Sequence, residues 1–190
     1  MQILPLSVRA NLRSPSTFLH ERRGAVMMEL AFAMPIIMVL ILGSYDTASF
    51  ILLHQKLNRA ATTMTDLVSR PANITPPEVD PLFAAAQKVM EPFPLGDRGT
   101  VIVSYIEREE GDIARVLWQR VGGGALSQNS RIGLPGEAAE MPVGFVVRET
   151  ETLVATEIYY DYEPTLLSWL LEPGIQRQDS YRRPRLGAIN

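Results

Sequence analysis

The chain has 190 residues, a net charge of -3 at pH 7 and no cysteine. A disulfide framework, a thiolate metal site and a cysteine nucleophile are therefore excluded, and the length allows one modest core plus an appendage. Charge is unevenly spread: residues 1–24 carry Arg9, Arg13, Arg22 and Arg23 against Glu21, so the remainder is more acidic than the whole and gives no electrostatic ground for binding nucleic acid.

The first element is an apolar run. From Ala25 to Leu53 the only charged residues are Glu29 and Asp46. A membrane span needs about 20 mostly apolar residues, so this run is read as a single crossing of the lipid bilayer rather than a buried core helix. Arg22 and Arg23 precede it and nearly neutral residues follow, which places the N-terminus in the cytoplasm and everything after about Leu53 outside the inner membrane. A conventional secretory signal fits less well. The apolar stretch is too long for one, and neither Ser44-Tyr45-Asp46 nor Thr47-Ala48-Ser49 closes it with a small-residue cleavage site.

Past the span the helical period continues. Phe50, Leu53, Leu57, Ala60, Ala61, Met64, Leu67 and Val68 recur at spacings of three and four, while Gln55, Lys56, Asn58, Arg59, Thr62, Thr63 and Asp66 fill the other face. One helix is expected from about Ala25 to Ser69, apolar all round in its first half and striped in its second. Pro35 and Gly43 either bend the embedded half or are simply tolerated there.

Pro71 to Pro77 breaks that helix, and Thr75-Pro76-Pro77-Glu78 has the form of a capping box with proline at the first helical position. A second helix follows, with Val79, Leu82, Phe83, Ala86, Val89 and Met90 on one face, and Pro92 and Pro94 end it. Alternation predicts a strand over Thr100–Glu107, a turn at Glu109–Asp112 and an antiparallel partner over Ile113–Val121. The stretch from Gly122 to Gly144 has loop composition. The longest strand pattern runs from about Glu149 to Tyr162, and Gln176–Leu186 is a candidate edge strand. The expected fold is α+β: a long N-terminal transmembrane helix stalk, with a small antiparallel sheet carrying a helix on one face.

The junction Arg22-Arg23-Gly24-Ala25-Val26-Met27-Met28-Glu29 resembles the processing site of type IV prepilins and pseudopilins, in which a membrane peptidase cuts after the glycine and glutamate becomes the fifth mature residue. The longer opening, Arg23 to Pro35, together with Gln55-Lys56-Leu57-Asn58-Arg59-Ala60-Ala61 and more weakly Ile158-Tyr159-Tyr160-Asp161-Tyr162-Glu163-Pro164, resembles the TadE-like family, minor pseudopilins of the Tad (tight adherence) pilus system. The resemblance implies a type IV pilin-like architecture of three parts: a leader at 1–24 that is removed, a transmembrane and stalk helix at 25–70, and an extracytoplasmic domain at 71–190. It also implies as partners a prepilin peptidase, sibling pseudopilins and the Tad inner-membrane platform. Leucine follows the glutamate here, where the major subunits of such pili usually have tyrosine, so the resemblance is to a minor component.

Glu29 has a physical role of its own. Cleavage between Gly24 and Ala25 exposes an amine within about one helical turn of this carboxylate, and an amine on one stalk can neutralise Glu29 on its neighbour; the alternative is a glutamate that merely ends the span. Asp46 reads as a solvated turn of helix or as a partner for a sibling stalk or a basic platform residue. Tyr159, Tyr160 and Tyr162 with Trp169 are either sheet packing or an interaction surface. The apolar segment Leu166–Leu171 covers the core or stalk or docks on a membrane or partner. Arg177, Arg182, Arg183 and Arg185 form a basic tail or a charged, protected edge strand.

No catalytic set, cofactor or metal is expected. His20 lies in the leader and His54 at the membrane exit, so no His-centred triad can be built from the globular part. The glycines at 122–124 lack the Lys-Ser/Thr of a phosphate loop, and Glu109, Glu110 and Asp112 lack calcium-loop spacing. The leading reading is a structural assembly protein; the alternative is an uncleaved single-span adaptor whose outer domain binds an envelope or secretion-system partner.

Overall fold

The computed structural model describes residues 22–71, 74–142, 144–166, 168 and 172–184, and the chain divides into two compact units, one ending at Ser44 and one beginning at Tyr45. The helix α1 (Arg22–Val68) belongs to both, with Pro35 inside it. In the first unit α1 is the described element, and its side chains are largely exposed.

In the second unit the striped half of α1 does what its period predicts. Leu53, Leu57, Ala60, Ala61, Met64 and Val68 are buried in the main core. The two alanines keep that face of the helix narrow where it meets the sheet. Arg182 of the edge strand reaches across to Asp66, which Arg70 also contacts at 2.9 Å, so charge pairing supports the packing at the end of the helix.

The second expected helix is instead three short pieces: α2 (Pro76–Val79), a 3₁₀ turn (Asp80–Leu82) and α3 (Phe83–Met90). Pro81 is the reason. It has no N–H to give to the carbonyl four residues back, so the chain tightens into i→i−3 bonds there before resuming the α form. The capping pair forms: the Glu78 carboxylate accepts from the Thr75 N–H at 2.8 Å and from its hydroxyl at 2.7 Å. Val79, Phe83, Ala86 and Met90 still join the core.

Four strands make one antiparallel sheet in the order β2-β1-β3-β4, with β1 Gly99–Arg108, β2 Arg115–Gly122, β3 Glu151–Tyr162 and β4 Gly174–Arg182. The shift of register between Tyr105 and Ile106 admits one extra residue on β2, a bulge of the kind common at sheet edges. On one face Val101, Val103, Tyr105, Val154, Ile158, Tyr160 and Tyr162 pack with the helices.

The other face is also covered. Ile106, Val116, Leu153 and Ala155 are buried with Ile132 and Val147, which come from the long connection between β2 and β3. That connection has loop composition and, among the described residues, no strand of its own. It is nonetheless tied to the sheet, by Val116 N–H to the Glu137 carbonyl at 3.0 Å and by the Arg108 guanidinium to the Val147 carbonyl at 2.8 Å. The glycines at its start have a packing purpose. A β-carbon on Gly122 would lie 2.5 Å from the Phe83 ring, and one on Gly124 would collide with the Gly99 carbonyl.

Candidate functional site

Arg22, Arg23, Gly24, Ala25 and Glu29 are all taken into the first two turns of α1. Helical geometry sets Ala25 and Glu29, four residues apart, on one face. Val26, Met27, Met28, Leu30, Phe32 and Met34 around that carboxylate are exposed. Among the described residues no hydrogen bond or ion pair reaches Glu29. At Gly24 a β-carbon would meet nothing within 4 Å, so no packing among the described residues calls for glycine there. The helix Gly24–Val68 is long and apolar enough to cross a membrane, and its most apolar window is wholly unburied.

Asp46 differs from the expectation of a solvated turn. It is 0% exposed, its two carboxylate oxygens accept the backbone N–H groups of Thr165 at 3.2 Å and Leu166 at 3.1 Å, and its carbonyl accepts the Tyr162 hydroxyl at 3.3 Å. A buried carboxylate must be hydrogen-bonded, and here the turn after β3 supplies the donors. The aspartate therefore binds its own domain.

The tyrosines are likewise turned inward. Tyr160 and Tyr162 are buried against the helices, the Tyr162 ring tilted against that of Phe50 with centroids 5.3 Å apart, and Tyr159 is buried on the opposite face. They are sheet packing, the first of the two alternatives that their alternation left open. Trp169, with most of the segment Leu166–Leu171, lies outside the described residues, as does Arg185. The described members of the basic tail are paired within the chain: Arg177 with Glu157, Arg182 with Asp66 and Arg183 with Glu151.

One charged centre escaped the sequence reading. Glu157, in the middle of β3, is 0% exposed and accepts from the Ser130 hydroxyl, the Arg131 N–H at 3.2 Å, the Tyr159 hydroxyl at 2.9 Å and the Arg177 guanidinium at 2.9 Å. Burial, and then the neighbouring Glu157 charge, push the Tyr159 hydroxyl up to about 12. This network joins the β2–β3 connection to the sheet. Its charge is already answered, and among the described residues no group of three His, Asp or Glu could hold a metal ion. The available signal was a glutamate in the middle of the longest strand pattern, one residue from the Tyr-Tyr pair.

No curated protein and no solved structure matches the chain. One family model does, described as TadE-like protein, and it matches residues 24–63. From the glycine ahead of Glu29 to the face of α1 that meets the sheet, the chain is similar to TadE-like proteins.

Proposed function

We propose that this chain is a membrane-anchored minor pseudopilin that assists the assembly or initiation of a Tad-type adhesive pilus. The similarity to TadE-like proteins points to a membrane protein related to that pilus system. The observation that carries the reading further is the start of α1: an uncovered apolar helix with one carboxylate, Glu29, that has no partner among the described residues.

In this reading the Arg22-Arg23 pair keeps the leader in the cytoplasm and a prepilin peptidase cuts after Gly24. Glycine in a helix costs about 0.5–1 kcal/mol relative to alanine, and no packing among the described residues offsets that at Gly24. A requirement imposed by the peptidase does. The new amine of Ala25 then lies on the face of Glu29, and each stalk offers a positive end and a negative group to its neighbours. In low dielectric a paired charge is far less disfavoured than an unpaired one, so two stalks with a small axial offset satisfy both groups. The sheet domain stands outside the inner membrane, and the partners are sibling pseudopilins and the Tad platform. The role is structural; no catalytic step is assigned to it.

Processing is tested by the intact mass and N-terminal sequence of the protein from native membranes that contain the peptidase. The chain is expected to begin at Ala25, and Gly24→Val is expected to retain residues 1–24. A mature chain that still begins at Met1 in piliated cells would contradict the reading and leave an uncleaved membrane adaptor in its place.

A further inference from the structure

Asp46 is the first charged residue after Glu29 on α1. A span of about 20 residues that starts at Ala25 finishes near Ser44, and one that starts after Glu29 finishes near Ser49, so Asp46 falls at the outer boundary of the bilayer in either case. A carboxylate at that depth usually takes water. Here water is replaced: Asp46 is 0% exposed and its oxygens hold the N–H groups of Thr165 and Leu166. Whatever holds Asp46 at the boundary therefore holds the turn after β3 there as well.

The side chains at this end of the folded domain suit such a place. Leu166 is 44% exposed and Tyr45 is 54% exposed, and Ile51 and Leu52 further along α1 are exposed too. Exposed apolar residues scattered singly need no explanation. Leu166 is tied by its own N–H to the buried Asp46 carboxylate and Tyr45 is the chain neighbour of that aspartate, and tyrosine is a residue type that favours a membrane interface.

We infer that the end of the domain around Asp46 and Leu166 is a bilayer-docking surface, in which Asp46 holds the turn after β3 against the outer face of the membrane and Leu166 enters the interface beside α1. The occupant is lipid, and the docking rests on the reading of α1 as a membrane span. It makes the domain a second, peripheral contact with the membrane.

The cysteine-free chain allows a direct test. The full-length protein is reconstituted into phosphatidylcholine vesicles carrying a small fraction of spin-labelled lipid, with a fluorophore on a single introduced cysteine: Leu166→Cys, Met34→Cys as the marker of the span, or Val121→Cys on β2 as the exposed control. Quenching at 166 is expected to exceed that at 121 on the order of threefold, as for groups seated about 5–10 Å into the interface. Asp46→Ala is expected to bring the 166 signal down to the level of 121 while that at 34 stays strong. Strong quenching at 34 with equal, weak quenching at 166 and 121 would overturn the docking and leave the span intact. Absence of quenching at 34 would overturn the span and the docking with it.

Discussion

A fully buried glutamate persists only if its charge is answered, and Glu157 is answered by one guanidinium, two hydroxyls and a backbone N–H. Arg177 reaches it diagonally across β3 and β4, since Arg177 is in register with Tyr159 and Asp179 with Glu157. Removing the cation alone strands the carboxylate. Arg177→Met should therefore destabilise the full chain in detergent by about 3–5 kcal/mol, read as a lower denaturant midpoint, whereas a change near zero would mean that the hydroxyls and the N–H suffice. Tyr159 adds a pH signature. The unfolded chain ionises this phenol near its ordinary value of 10.0, while the folded chain resists until about 12. Stability is thus intact below pH 10 and falls as pH rises through that interval. Tyr159→Phe should flatten the fall without abolishing it, because burial also raises Tyr160, Tyr162 and Tyr181; an unchanged alkaline slope would count against the assignment. Neither Glu157 nor Asp46 was legible as a buried charge. Period-two alternation says which residues share a face, but not that both faces are covered, and no local pattern couples Asp46 to residues 165 and 166.

The helices and strands follow closely from local chemistry. The α1 stripe, the Thr75–Glu78 cap and the strands β1, β2 and β3 lie within a few residues of where spacing alone puts them, because in each the apolar period agrees with the burial it produces. Two features resisted. Pro81 splits the second helix, although the apolar spacing around it is helical throughout. The β2–β3 connection reads as loop and still supplies Ile132 and Val147 to a core, since its bonds go to the sheet rather than to itself. Gly122 and Gly124 mark where that connection passes close to Phe83 and to the backbone of Gly99. Gly124→Ala is expected to cost about 1–3 kcal/mol by forcing that backbone apart, measured by thermal or denaturant unfolding. Gly136→Ala has open space around it but a φ of 88°, so it should show backbone strain alone and a smaller loss.

At the scale of the whole chain, sequence carries the division of labour: a helix half that is apolar all round, a half with one stripe, and a small antiparallel sheet. The orientation proposed for it predicts that a membrane-impermeant maleimide labels Val121→Cys from outside intact spheroplasts, and labelling that requires lysis would reverse the topology. The central claim is that the uncovered first part of α1 is completed by another stalk through Glu29. It is tested most directly by disulfide crosslinking between subunits in native membranes, with Met34→Cys and Ile41→Cys seven residues apart on one helix face, in chains with and without Glu29→Gln. If Glu29 neutralises the amine of a neighbour, Glu29→Gln should leave cleavage, insertion and the folded domain intact, yet lower stalk association by more than about a hundredfold, since a stranded charge costs on the order of 3–5 kcal/mol. Crosslinks and pili should then be lost together. Crosslinking and piliation that match the unsubstituted chain would contradict the claim and leave Glu29 as a marker of the headgroup boundary.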